Sequence, residues 1–339
     1  MKSSVIFQHK PTISKASLRG YSQIAVLVDQ HTRAHCYPLL AKQLPPHSVI
    51  EVMAGEDHKN LVTSQVIWQH MTELGFDRHA ALIIIGGGVL GDMGGFCAAT
   101  FKRGIDFILV PTTLLSQVDS SIGGKLGVDF GPYKNHVGVF QQPVATYIVS
   151  AFLDTLPSRE LRSGFAEVIK HCIIGDKAMW KIVSQRTLEN QPWLKLVKHS
   201  VGFKKKVTQK DPREKGLRKI LNFGHTIGHA LEGHFLNTDN RLFHGEAIAI
   251  GMIMEAWIAC SRKLISEEER EQISGYLKAV FGKIPVPAPE NWIPLMKQDK
   301  KNKGNKVLMA LPRRLGNAVW DISVSERDIR GAWDYYNTL

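Results

Sequence analysis

The chain has 339 residues, of which 44% are hydrophobic and 22% charged, values that suit a soluble globular protein with room for two separate cores. Lys and Arg outnumber Asp and Glu by 43 to 31, a net charge of +12 that predicts an anionic partner; the basic clusters at 204–206 and 297–306 come with no aromatic platform or zinc finger, so nucleic acid is not expected. No apolar run reaches the roughly 20 residues of a membrane span, residues 1–15 lack a signal-peptide core, and cysteines 36, 97, 172 and 260 form no Cys-x-x-Cys pair, which together predict a cytoplasmic protein with reduced thiols and no membrane partner.

Short β-branched runs at 23–28, 48–52, 81–85, 107–110 and 145–149 read as strands, with amphipathic helical segments such as 60–74 between them. Alternation of this kind predicts an α/β domain, over 1–150, built on a mostly parallel sheet covered by helices. After residue 150 the strand signals nearly vanish, and 158–172, 193–210, 217–235, 244–264 and 266–281 carry helical periodicity. Residues 151–339 therefore read as a mainly α-helical second domain, with a hinge at 143–157 and a proline-rich break at 285–289.

The strand at 81–85 runs into Gly86-Gly87-Gly88-Val89-Leu90-Gly91-Asp92, where glycines 86, 88 and 91 fit the spacing of a dinucleotide fingerprint. Glycines there let backbone amides approach a pyrophosphate, and the following helix N-terminus favours its charge. Pro111-Thr112-Thr113 ends the next strand. Asp119-Ser120-Ser121-Ile122-Gly123-Gly124-Lys125 and Lys134-Asn135 then supply hydroxyls, glycines and cations suited to a phosphate or polyol. Glu167 and Lys170 stand one helical turn apart among apolar residues.

Leu221-Asn222-Phe223-Gly224-His225-Thr226-Ile227-Gly228-His229 places two histidines on one helix face, and His244-Gly245-Glu246 adds a third. Imidazoles beside a carboxylate suit a borderline-soft divalent metal with an open position, which points to catalysis. Glycines 224, 228, 233 and 245 thin the side chains here and predict close approach by a ligand or another helix. The protease signature His-Glu-x-x-His is absent.

Taken in order, the stretch 86–92, Lys102-Arg103-Gly104, Pro111-Thr112-Thr113-Leu114-Leu115, the stretch 119–125, Lys134-Asn135, Ala166-Glu167-x-x-Lys170, Arg218-x-x-Leu221-Asn222-Phe223-Gly224-His225 through His229, and His244-Gly245-Glu246 resemble the 3-dehydroquinate synthase family of sugar phosphate cyclases. Gly55-Glu56-x-x-Lys59 and Asp299-Lys300-Lys301 extend the likeness more thinly. The resemblance implies an NAD-binding first domain, a metal- and substrate-binding second domain, and a homodimer. It implies Glu167, His225 and His244 as ligands of zinc or cobalt, replacing the unaided pairing of His225 with His229.

For NAD the resemblance implies Asp29, Glu56, Lys59, Gly87, Gly88, Asp92, Thr112, Thr113, Lys134 and Thr155; for an anionic sugar-phosphate substrate it implies Asp119, Lys125, Asn135, Lys170, Lys204, Arg218, Asn222 and His229, with Arg103 from the partner subunit and Lys301 closing over the phosphate. The implied activity is that of a lyase of the shikimate pathway of chorismate and aromatic amino acid biosynthesis, making 3-dehydroquinate from 3-deoxy-D-arabino-heptulosonate 7-phosphate. Sibling cyclases making amino-dehydroquinate, epi-valiolone or scyllo-inosose products, and metal-dependent polyol dehydrogenases, are the competing readings. The chain departs from the family pattern at His31, Leu126 and His171-Cys172, the last lying where tyrosine-glycine is usual.

Overall fold

A computed structural model describes residues 3–131, 133–236, 238–297 and 307–339, and divides the chain into two compact units, Met1–Leu161 and Arg162–Leu339. The first unit contains β1 (Ser4–Gln8), β2 (Ile24–Asp29), α1 (Gln30–His35), α2 (Tyr37–Ala41), β3 (Ser48–Val52), α3 (Leu61–Glu73), β4 (Ala81–Gly86), α4 (Gly88–Thr100), β5 (Asp106–Pro111), β6 (Lys125–Phe130), β7 (Tyr133–Phe140) and β8 (Ala145–Val149). Six of these strands form one sheet in the order β1-β8-β5-β4-β2-β3, parallel throughout.

Strand residues alternate between two cores, as a period of two requires. Ala25, Leu27, Leu82 and Ile84 join the cluster containing Met93 and Phe96 of α4, while Val26, Val28, Ile83 and Ile85 join the cluster containing Leu40 of α2. Burial on both faces explains why these strands read as unbroken apolar runs. The edge strand β1, which pairs with β8, has no fully buried residue and escaped the sequence pattern. So did the antiparallel hairpin β6–β7, whose second strand is exposed or half-buried along its length.

The second unit takes up α5 (Ser158–Gly175) beyond Leu161, then α6 (Lys177–Ser184), α7 (Trp193–Lys210), α8 (His225–Phe235), α9 (His244–Ser261), α10 (Glu267–Phe281), α11 (Ile293–Lys297), β9 (Val307–Pro312), β10 (Ala318–Val324) and α12 (Glu326–Thr338). It is mainly helical, with one correction: β9 and β10 pair as an antiparallel hairpin after residue 150. The helix expected over 217–235 is also two elements. A 3-10 turn occupies Leu217–Asn222, Gly224 takes a left-handed φ of 79°, and α8 begins at His225.

That break has a steric cause. A Cβ on Gly224 would lie 2.6 Å from Met252 Cγ and 2.9 Å from the Ile248 carbonyl oxygen, both on α9. On the other side of the contact, a Cβ on Gly251 would sit 2.0 Å from the Gly224 carbonyl oxygen. Glycines thus let α8 start against the flank of α9, and Gly228, whose Cβ would come within 3.0 Å of the Ala247 carbonyl oxygen, continues the approach. Of the glycines expected to mark close approach, Gly233 does not: its Cβ would meet nothing nearer than Leu295 at 3.8 Å.

Candidate functional site

In the first unit, β2 leads outward to β3 while β4 leads the other way to β5, so the sheet's switch point lies between β2 and β4. Open parallel sheets bind ligands outside the carboxyl ends of such strands. Asp29 ends β2, and Gly86 ends β4. Gly87 is the N-cap of α4 and no side chain caps that helix, so its first N–H groups and the positive end of its dipole are open to an anion.

Side chains would close this cradle. A Cβ on Gly87 would stand 3.2 Å from Thr113 Cγ2, and one on Gly88 would stand 2.9 Å from Ser120 Oγ. The hollow beside them is lined by Gly86, Gly87, Asp92, Pro111, Ser116 and Ser120. Buried Thr112 donates its N–H to the Gly86 carbonyl at 3.0 Å, and the Thr113 hydroxyl donates to Ser116 Oγ at 2.9 Å. Asp29 accepts the Thr32 N–H at 2.8 Å as the cap of α1. Gly91, the third glycine of the fingerprint spacing, has open space where its Cβ would be.

A charged cluster adjoins the hollow through Asp92. Buried Lys59 donates to Asp92 Oδ2 and to Asn135 Oδ1, each at 2.7 Å, and Lys134 lies 3.7 Å from Glu56. Burial opposes the charge on Lys59, but Asp92 and then Glu56 outweigh it and hold the ammonium above its usual pKa. Asn135, at a left-handed φ of 51°, receives its place from its own N–H, which donates to Asp129 at 2.6 Å. Asn135 therefore joins Glu56, Lys59, Asp92 and Lys134, residues expected around the nucleotide, rather than standing apart from them.

In the second unit Glu167 of α5 is fully buried, with His225 Nε2 and His244 Nε2 each 3.5 Å from its Oε1. The Lys170 ammonium touches Oε2. A tetrahedral ion with bonds of about 2.0–2.1 Å would separate its ligand atoms by roughly 3.3–3.4 Å, so these spacings fit one. The other ring nitrogens are engaged: His225 Nδ1 with the Phe223 carbonyl at 3.1 Å, His244 Nδ1 with Glu232 Oε2 at 3.3 Å. Such partners leave both Nε2 atoms for a metal.

Electrostatics agree with a cation site. Burial works against ionised Glu167, yet Lys170 and the imidazoles hold it well below the usual carboxylate range. Burial, then Lys170, keeps His225 neutral, with its pKa well below the ordinary value. Burial alone would lower His244 too, but Glu167 and Glu232 overcome it and push the ring up to about 9.

His229 stands beside the cluster, its ring 5.0 Å from that of His225 and 6.0 Å from that of His244. Arg218 and Asn222 come from the 3-10 turn that leads into α8. Arg218 is buried with Nη1 donating to the Pro212 carbonyl at 2.8 Å, and Asn222 donates to Glu214 at 2.8 Å. Lys204 is buried on α7. In the first unit, Asp119 lies in a π-helical turn at Ser116–Ser120 and exposed Lys125 opens β6. Arg103 and Thr155 are exposed on 3-10 turns at Phe101–Arg103 and Ser150–Thr155. Lys300, Lys301 and Asp299 lie outside the described residues.

Three supporting residues were not read from the sequence. Glu232 meets His244 Nδ1; Ser163 accepts the Gly245 N–H at 3.0 Å; and fully buried Glu255 accepts the N–H groups of Gly224 and Ile227, at 2.6 and 3.2 Å, at the start of α8. Only the spacing of Glu232, three residues after His229 on the same helix face, carried a signal.

Family models described as 3-dehydroquinate synthase N-terminal and 3-dehydroquinate synthase C-terminal match residues 49–163 and 164–302. A 3-dehydroquinate synthase of a Nitratiruptor species is 39% identical over 308 residues, covering 89% of this chain and 88% of that protein. Among solved structures, 2-epi-5-epi-valiolone synthase from Streptomyces hygroscopicus subsp. jinggangensis 5008 with NAD+ and Zn2+ bound superposes with a TM-score of 0.88 at 28% identity, covering 100% of this chain and 97% of that one. A 2-deoxy-scyllo-inosose synthase shares the fold, with a TM-score of 0.84 at 24% identity over 96% of this chain and 95% of that one.

Proposed function

Because the chain belongs to the 3-dehydroquinate synthase family, we propose that it is the lyase that converts 3-deoxy-D-arabino-heptulosonate 7-phosphate into 3-dehydroquinate and inorganic phosphate. It uses NAD and one divalent ion, zinc or cobalt, and works as a cytoplasmic homodimer in the shikimate pathway. The observation that carries the reading is the set of buried cations, Lys170, Lys204 and Arg218, in the same unit as the Glu167, His225 and His244 donors. A neutral polyol would have no use for Lys204 and Arg218, whereas a substrate carboxylate requires such partners.

Bound NAD would supply reversible hydride acceptance at the C5 carbinol and so would be regenerated in each turnover, and a divalent ion would lower the cost of deprotonating that alcohol. Gly87, Gly88 and the α4 N-terminus receive the pyrophosphate. Asp29, Glu56, Lys59, Asp92, Thr112, Thr113, Lys134 and Thr155 orient the rest of the dinucleotide. Glu167, His225 and His244 hold the ion.

Arg218 grips the substrate carboxylate bidentately and Lys204 adds a point charge. Lys125, Asn135, His229 and Lys301 hold the phosphate, with Arg103 reaching in from the second copy. Asp119, Lys170 and Asn222 complete the shell around the substrate hydroxyls. Fixing the substrate at both anionic ends orients it up to phosphate elimination, and the grip on its carboxylate orients the fragment that then closes the ring.

Purified, metal-loaded protein given the heptulosonate phosphate and a trace of NAD tests this reading. Phosphate and dehydroquinate formed in many-fold excess over NAD, with no net NADH, are the expected result. Stoichiometric NADH without phosphate would instead mark a dehydrogenase. Turnover only of a sugar phosphate lacking the carboxylate would mark a sibling cyclase, such as the valiolone synthase that shares this fold. Arg218→Ala should weaken substrate binding more than NAD binding.

A further inference from the structure

His225, His229 and Glu232 follow one another along one face of α8 at spacings of four and three residues, forming a ladder of donors. His244, at the first position of α9, stands beside that ladder with its two ring nitrogens turned to different partners. Its Nε2 lies 3.5 Å from Glu167 Oε1 on the side of His225, and its Nδ1 lies 3.3 Å from Glu232 Oε2. One imidazole is therefore shared by two donor sets, Glu167–His225–His244 and His229–Glu232–His244, and in each set the ligand atoms lie within 4.8 Å of one another.

We propose that His229, Glu232 and the Nδ1 side of His244 form a second, weaker site for a divalent cation, adjacent to the ion held by Glu167, His225 and His244. The proposal rests on that primary assignment, since His244 belongs to both. The 3.3 Å separation of His244 Nδ1 from Glu232 is the ligand-to-ligand spacing of a tetrahedral ion, roughly 3.3–3.4 Å, and is long for a charge-assisted hydrogen bond. Two imidazole nitrogens and one carboxylate oxygen select zinc or cobalt over magnesium or calcium.

The second site is the weaker for two reasons. Its His229 is exposed and its Glu232 half-buried, whereas the primary set is anchored on fully buried Glu167. Its ion must also displace the Nδ1 proton that His244 shares with Glu232, which turns the ring into a bridging imidazolate, releases one proton to solvent and removes the contact that supports the first ion. Filling it withdraws His229 from the substrate phosphate, so excess zinc inhibits an enzyme that needs one zinc to work.

The test counts ions. Metal-free protein is dialysed against rising Zn2+ at fixed pH, and bound zinc per chain is measured by elemental analysis. Wild type should take up one ion, then a second at a concentration at least 100-fold higher. His229→Ala, a change at an exposed position, should keep the first and lose the second. Glu167→Ala should lose the tight ion while keeping the weak one, provided its circular dichroism remains native. Saturation at one ion in wild type, or an unchanged second ion in His229→Ala, would overturn the proposal. A tight ion retained by Glu167→Ala would overturn the primary assignment, and the shared-ligand proposal with it.

Discussion

Glycine carries opposite duties in the two units. After β4, Gly87 and Gly88 face small hydroxyl side chains across a hollow, so the space they leave is for something outside the protein. At the α8–α9 contact the space is already filled by the protein's own backbone: Gly224 meets the Ile248 carbonyl and Gly251 the Gly224 carbonyl; where α9 meets α5, Gly245 would set a Cβ only 2.1 Å from the Ser163 carbonyl oxygen. The same contrast holds for charge. Lys59 and Asp92 satisfy each other, whereas Glu167 gathers Lys170 and two imidazoles around one buried carboxylate. One unit keeps an open cradle for an anion; the other keeps a tightly packed cage for a cation.

The sharpest way to break that contrast is Glu167→Ala. It removes a proposed metal ligand and leaves the Lys170 ammonium buried beside imidazoles, a loss of about 3–5 kcal/mol by analogy with broken buried ion pairs. Denaturant melts should show this destabilisation, and elemental analysis should find no tightly bound ion. Adding Lys170→Met should restore most of the stability but none of the metal. Recovery of both would mean that the cluster is an ordinary ion pair.

Gly251→Ala comes next, at about 3 kcal/mol, the upper end of the overpacking range, because the new methyl meets backbone rather than a movable side chain. Metal affinity should fall with it, since α8 and α9 carry His225 and His244 at their starts. Gly88→Ala should behave differently. Its methyl meets only the Ser120 side chain, whose Cβ is at an ordinary 3.4 Å and whose hydroxyl, at 2.9 Å, can rotate away, so the melting curve should hardly move, while NAD affinity measured by calorimetry should drop at least tenfold, about 1.4 kcal/mol. Equal loss of stability in both variants would erase the distinction between the two kinds of glycine.

In the first unit's six-stranded sheet every strand but β1 was legible, the edge strand β3 at 48–52 included. Strands β2, β4, β5 and β8 were legible because burial on both faces makes them continuous apolar runs. By contrast β1 and β7 are exposed or half-buried along their length and β6 is exposed at its ends, so none of the three makes such a run; β9, although an apolar run, was not read, nor was its partner β10. Of the proposed metal donors, His225 and His244 were read from the residues themselves and Glu167 through family resemblance. Spacing alone favoured His229, because periodicity reports which residues share a helix face and not which nitrogen another helix meets. Glu255 was invisible for the same reason: its role depends on a contact between α9 and the start of α8, which no local pattern encodes.

Gly233 is the position where composition misleads most, and it gives the mildest test. It sits among the helix-thinning glycines of α8, yet a Cβ there would make only ordinary contact, 3.8 Å from Leu295. Gly233→Ala should therefore stabilise the protein by about 0.5–1 kcal/mol, the intrinsic helix preference of alanine over glycine, with metal content unchanged. A small rise in melting temperature would set Gly233 apart from Gly224, Gly228 and Gly251 as a glycine without a packing duty. A fall would mean that α8 meets a neighbour there as closely as it meets α9.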